Sequence, residues 1–110
     1  MDTRNLELET ETFDIIIDKA TMDALLCDSY TNLATTLKEC QRVLKTGGVY
    51  VAISFGHPDT REFHFKRKHL KFDLDILVVD KNGIRFFVYI CKKLKGADEV
   101  ARLHWDEVLE

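Results

Sequence analysis

Asp18 and Lys19 follow directly on Ile15-Ile16-Ile17, which sets a carboxylate and an ammonium where a short strand should end. Ligands of open α/β sheets bind at that carboxyl edge, so the pair serves either a ligand or a plain surface ion pair. Thr21 and Asp23 belong to the same block and suit either a helix cap or a substrate contact. His57 stands beside Gly56 just past a second apolar run, where an imidazole either faces a substrate or decorates a loop. Arg61, Lys66, Arg67, Lys68 and Lys71 are interleaved with Phe63, Phe65 and His69, a mixture that single-stranded nucleic acid can bind. In a chain of net charge -3 the same stretch reads more simply as a solvated face or a docking surface for an acidic protein, and nucleic acid is not expected as a partner. His64 and His69 are five apart, a poor spacing for a helical metal pair, and no metal is expected. Cys27, Cys40 and Cys91 are odd in number and form no CxxC, which argues for buried thiols over a disulfide framework.

These residues need elements to position them. Phe13 to Asp18, FDIIID, is a short strand without a polar face, expected to be buried on both sides. Asp28 or Ser29 caps a helix over about residues 30–45, whose stripe is Leu33, Leu37, Cys40 and Leu44 and whose stop is Gly47-Gly48. Val49 to Phe55, VYVAISF, is a second strand, placed parallel to the first by a right-handed crossover. The chain then turns polar and basic before Phe72 to Val79, which alternates as an edge strand does. Asn82-Gly83 supplies a two-residue type I′ turn into Phe86 to Cys91, apolar throughout and therefore placed inside the sheet. Residues 97–110 set Val100, Leu103 and Leu109 among charges as a terminal helix, with Trp105 on or near its packing side.

Composition sets the outer limits. The chain has 110 residues, 45% of them hydrophobic, enough for one domain and too many for a disordered chain. No apolar run approaches the roughly 18 to 20 residues of a membrane span, and the acidic opening lacks the pattern of a signal peptide, so the expectation is a cytoplasmic protein without membrane contact.

Two parallel strands joined by a helix, then an antiparallel hairpin whose last strand turns inward, resemble the C-terminal half of a class I S-adenosylmethionine-dependent methyltransferase. Phe13 to Leu25, FDIIIDKATMDAL, is similar to the "FDxxxDKGTxDAL" segment of the methyltransferase-like proteins that include elongation factor 1-alpha lysine methyltransferases. Arg42 to Gly48 resembles the "RVLKPGG" entry to that family's fifth strand, Ser54 to Pro58 its "SFGxP" exit, and Phe87 to Leu94 its final strand. Ala20 and Thr46 depart mildly from those patterns. The larger departure is a missing glycine-rich turn: Gly47, Gly48, Gly56, Gly83 and Gly96 include no GxG, and roughly the first half of such a domain is absent from this sequence.

The resemblance implies an α/β fold, Rossmann-like, with residues 1–94 as the methyltransferase portion and residues 95–110 as a terminal helix or tail. It implies S-adenosylmethionine as cofactor and a protein lysine as acceptor, with activity weak or absent in this chain alone. Asp2 and Thr3 match the end of the third strand, where the adenine ring is held, and Asp18 joins them on the cofactor side. Methyl transfer to an amine needs alignment and exclusion of water more than covalent help. Asp18, Lys19 and His57 are the catalytic candidates, while Thr21, Asp23 and Phe55 are the substrate-side candidates that would hold and desolvate an ammonium. The alternative is a non-catalytic truncated module. The strand at Ile15 to Ile17 would then be an open edge, covered by self-association or by a partner chain.

Overall fold

The computed structural model describes residues 11–19 and 30–108. In chain order they form β1 (Phe13–Lys19), α1 (Tyr30–Val43), β2 (Leu44–Ser54), α2 (Pro58–Phe65), β3 (Phe72–Lys81), β4 (Ile84–Lys93) and α3 (Ala97–Val108). The four strands make one mixed sheet in the order β1-β2-β4-β3, with β1 and β2 parallel and the other two pairs antiparallel. The hairpin is as the sequence implies. Asn82 (φ 54°) and Gly83 (φ 78°) both take the left-handed backbone that a type I′ turn requires, and Lys81 pairs with Ile84 across it. The apolar β4 lies between β2 and β3, leaving the alternating β3 at the edge.

The core lies on one face of the sheet, where Tyr50, Ala52, Phe87, Tyr89 and Cys91 meet Leu33, Leu37 and Cys40 of α1 and Phe65 of α2. Among the buried polar side chains, Gln41 and Lys93 tie separate segments together. The Gln41 amide donates to the carbonyls of His69 (3.1 Å) and Ala97 (3.2 Å), and its oxygen accepts from the Lys71 N–H (2.7 Å). Lys93 Nζ donates to the Leu44 carbonyl at 2.7 Å and to Asp98 at 3.1 Å, tying the foot of β4 to α3.

Two expectations are corrected and two segments are filled in. First, β1 is not buried on both sides: Ile16 packs against the core, but Ile15 and Ile17 are 56% and 66% exposed, because all the core-forming contacts lie on the opposite face. Second, α1 stops at Val43 and not at Lys45. Its last carbonyls, on Arg42 and Val43, accept from the Glu11 N–H (2.9 Å) and Thr12 N–H (2.8 Å) of the segment entering β1, which ends the helix and lets β2 begin at Leu44. Third, the polar stretch after Gly56 folds into α2. His57 accepts from the Asp59 N–H as N-cap, Pro58 occupies the first turn, and Asp59 suits the positive end of the helix dipole. Fourth, α3 packs through Ala97 and Ala101, while Leu103 is 58% exposed. Trp105 does face the core side, its ring centroid 5.0 Å from that of His69, with the Lys38 ammonium 5.0 Å above it. Leu109 lies outside the described residues.

Gly48 marks the closest approach of the two parallel strands. Phe13 pairs with Leu44 and Ile15 with Val49, so β2 advances five residues while β1 advances two, and the excess forms a bulge. A Cβ on Gly48 would lie 2.8 Å from the Lys45 carbonyl oxygen and 3.0 Å from that of Asp14. Both are backbone atoms and cannot swing aside. Gly48→Ala is therefore expected to cost about 2 kcal/mol, read as a lower urea midpoint at unchanged slope.

Candidate functional site at the carboxyl edge of the sheet

Parallel pairing carries Asp18 opposite Ala52 and Lys19 opposite Ile53, so the ends of β1 and β2 share one edge of the sheet. Tyr50 stands two residues before Ala52 and thus on the same face as Asp18. Its hydroxyl donates to Asp18 Oδ2 at 2.6 Å. Burial pushes the Tyr50 phenol well above its ordinary range, with the charges of Cys40 and Asp18 adding to it, so the hydroxyl keeps its proton and remains a donor. The carboxylate is thereby held in one orientation. Lys19, next in the chain, is exposed.

The chain leaving β2 is locked by three further bonds. Ser54 Oγ accepts from the Gly56 N–H at 2.9 Å, and the Tyr89 hydroxyl donates to the Gly56 carbonyl at 2.6 Å. His57 Nδ1 accepts from the Asp59 N–H at 3.1 Å, and its ring stands edge-on to Phe87 at 5.2 Å. A ring nitrogen that accepts carries no proton, so neutral His57 in this pose bears its hydrogen on Nε2 and presents a donor to its surroundings. Phe55, between these anchors, is 66% exposed at the same edge.

Of the residues named from the sequence, Asp18, Lys19, Phe55 and His57 are described and all belong to the ends of β1 and β2 or the turn that follows. Asp2, Thr3, Thr21 and Asp23 lie outside the described residues. Tyr50 and Tyr89 were not singled out by sequence reasoning. Their signal is the register: once Asp18 is known to pair with Ala52, a tyrosine two residues earlier must share its face.

The basic stretch is largely engaged within the chain. Lys66 pairs with Glu62 at 2.9 Å and Lys68 with Glu107 at 3.5 Å, Lys71 Nζ donates to the Lys95 carbonyl at 2.8 Å, and Arg67 lies over the Phe63 ring at 6.0 Å. Cys40 and Cys91 are free, buried thiols, and burial, with the charges of Asp18 and Glu39, pushes Cys40 up to about 12. Cys27 lies outside the described residues. Among the described residues, no three His, Cys, Asp or Glu side chains gather as a metal site, and no helix is long and apolar enough to cross a membrane.

Residues 1–52 match the model of a methyltransferase domain family. The chain is 30% identical over 105 residues to the EEF1A lysine methyltransferase 4 of Bos taurus, covering 86% of this chain and 41% of that protein. Over 58 residues it is 40% identical to the eEF1A lysine and N-terminal methyltransferase of Mus musculus, covering 49% of this chain and 8% of that one. A SAM-dependent methyltransferase from Methanosarcina mazei superposes with a TM-score of 0.65 at 18% identity, over 86% of this chain and 65% of that one. The chain is similar to the class I S-adenosylmethionine-dependent methyltransferases in sequence and in fold. It spans about two fifths of the length of the bovine and mouse lysine methyltransferases it matches. The sheet order β1-β2-β4-β3, with its final antiparallel strand set inward, is the methyltransferase arrangement that the sequence resemblance implied.

The cofactor of the proteins this chain resembles, S-adenosylmethionine, needs residues to hold it. Among the described residues the oriented Asp18 carboxylate stands at the carboxyl edge of a parallel pair, where ligands of open α/β sheets bind. The five glycines include no turn of the GxG kind that would let backbone approach the methionine end of the cofactor.

Proposed function

We propose that this chain supplies the acceptor-side half of a protein-lysine methyltransferase domain, residues 1–94, with residues 95–110 as a packed tail, acting in the cytoplasm. The observation that carries the proposal is the Tyr50-held Asp18 at the sheet edge, within a stretch that aligns with relatives named as lysine methyltransferases. When bound, S-adenosylmethionine supplies a methyl group already activated on a sulfonium. The chain's own part is to receive and align the amine. Asp18 offers a fixed carboxylate to an incoming lysine ammonium, and Phe55 offers an exposed ring for its stem and charge. His57, through Nε2–H, and Lys19 flank the same edge, where they orient acceptor and water. Asp2 and Thr3 are proposed for the adenine end, with Asp18 between cofactor and acceptor, and Thr21 and Asp23 for the substrate side. Without a glycine-rich turn, the chain alone holds the cofactor weakly.

The test is calorimetric titration with S-adenosylmethionine, together with labelled methyl transfer to elongation factor 1-alpha, the substrate that the names of its relatives suggest. We expect a dissociation constant near 1 mM, equivalent to about 4 kcal/mol, and slow transfer confined to lysine. Asp18→Ala should reduce that transfer at least about 100-fold, and Tyr50→Phe about tenfold. Label on nucleic acid would overturn the lysine assignment. No binding and no transfer would favour the second reading, a non-catalytic module that pairs with another chain, which the exposure of Ile15 and Ile17 on an edge strand supports.

A further inference from the structure

Tyr89 of β4 is fully buried, and its ring stacks on Phe65 of α2 with the centroids 5.1 Å apart. A phenylalanine would fill that place as well. What the tyrosine adds is a hydroxyl, which is costly to bury unless it is bonded. The hydroxyl donates to the Gly56 carbonyl at 2.6 Å, joining residues 33 apart in the chain. Other bonds at this turn are local: the Gly56 N–H donates to Ser54 Oγ at 2.9 Å, and the Thr60 and Arg61 N–H groups donate to the His57 carbonyl at 2.9 and 3.1 Å. They shape the turn, and Tyr89 ties it to β4. Gly56 is the one residue between Phe55 and His57, so the direction of its two peptide groups sets where both of those side chains stand. A side chain at Gly56 would collide with that of Arg61, which lies across it.

The register gives this tyrosine a counterpart. Ala52 pairs with Tyr89 and Tyr50 with Cys91, so the two tyrosines are diagonal neighbours on the core face of the sheet. The Tyr50 hydroxyl meets the end of β1 at Asp18, and the Tyr89 hydroxyl meets the chain leaving β2 at Gly56. We propose that Tyr89 is a positioning residue for the acceptor: through the Gly56 carbonyl it sets where Phe55 and His57 stand, as Tyr50 sets Asp18. The inference rests on the acceptor-side role given above to Phe55 and His57. An amine must lie in line with the methyl group it attacks, and a misplacement on the order of 1 Å costs up to about 100-fold in rate. Tyr89 is buried beneath the turn and acts through it, so its loss changes transfer and leaves the binding of S-adenosylmethionine alone.

Tyr89→Phe tests this, because it keeps the ring on Phe65 and removes only the hydroxyl. Labelled methyl transfer to lysine of elongation factor 1-alpha should fall about tenfold, with the calorimetric affinity for S-adenosylmethionine unchanged within about twofold. In a Phe55→Ala/His57→Asn background, where asparagine still caps α2, the same change should cost less than about twofold, since the groups it positions are gone. A second arm needs no methyl transfer. In nuclear magnetic resonance spectra the ring-current shift that Phe87, 5.2 Å away, imposes on the His57 ring should shrink in Tyr89→Phe and persist in Tyr50→Phe. Equal losses of transfer in the two backgrounds would overturn the proposal, as would His57 signals that Tyr89→Phe leaves in place. Absence of lysine transfer in the unmutated chain defeats the reading of the site and not the hold of Tyr89 on the turn, which the His57 signals report on their own.

Discussion

Gln41→Leu will lower the unfolding free energy by about 4 kcal/mol, and with it the melting temperature by roughly 15 to 25 °C. Gln41 is fully buried and bonds only to backbone, to three groups on two other segments: the Lys71 N–H and the His69 carbonyl before β3, and the Ala97 carbonyl at the start of α3. Leucine fills nearly the same space, so packing survives. The three peptide groups lose their partner together, and each buried orphan costs on the order of 1 to 1.5 kcal/mol. A domain of this size has about 5 to 15 kcal/mol in all. Thermal unfolding followed by circular dichroism reads the effect directly. A loss under about 1 kcal/mol would show that the three groups find other partners.

The second large effect is with acid. Burial holds His64 at about 4, helped by the charges of Arg67 and Arg61, and holds His69 at about 4 by burial with the charges of Arg67 and Lys38, against an ordinary value of 6.5. A bond from His69 Nε2 to the Ala34 carbonyl (3.0 Å) works the other way and is outweighed. Between pH 6.5 and 4 the unfolded chain binds protons at these two positions that the folded chain refuses. Stability is therefore complete above 6.5 and falls as pH drops through that window, by on the order of 2 kcal/mol per histidine. Urea unfolding at pH 7, 6 and 5.5 should show the midpoint falling in step, above the range in which most carboxylates titrate. A flat midpoint across the window would mean that the two rings reach water before the domain opens.

The elements that sequence reasoning placed well are those whose cause is local. Asn82-Gly83 can hardly be other than a type I′ turn, and the apolar run after it had to be an interior strand. The stripe at Leu33, Leu37 and Cys40 had to face a core. The elements it misplaced depend on something distant. The end of α1 is decided by peptide groups of residues 11 and 12, 31 residues away in the chain. The helix after Gly56 has only its cap, His57, and Pro58 to announce it, and a basic, aromatic composition obscures both. Ile15 and Ile17 read as buried because nothing in a triple-isoleucine run says which of its faces the described helices cover.

The candidate site divides along the same line. Asp18, Lys19 and His57 were legible because a carboxylate or imidazole at the end of an apolar run is a local pattern. The partner that orients Asp18 was not, because which residue of β2 stands near it depends on a bulge of three residues around Gly47 and Gly48 that only the paired strands reveal. The sequence by itself determined the α/β class, the hairpin, the family resemblance and the acid at the strand end, since each follows from residue type and short-range spacing. The tertiary structure alone decided which tyrosine holds that acid, which imidazole is spent on capping a helix, and which sheet face the described helices cover. Those outcomes are set by register and by the side on which helices settle, and neither is written in any one segment of the chain.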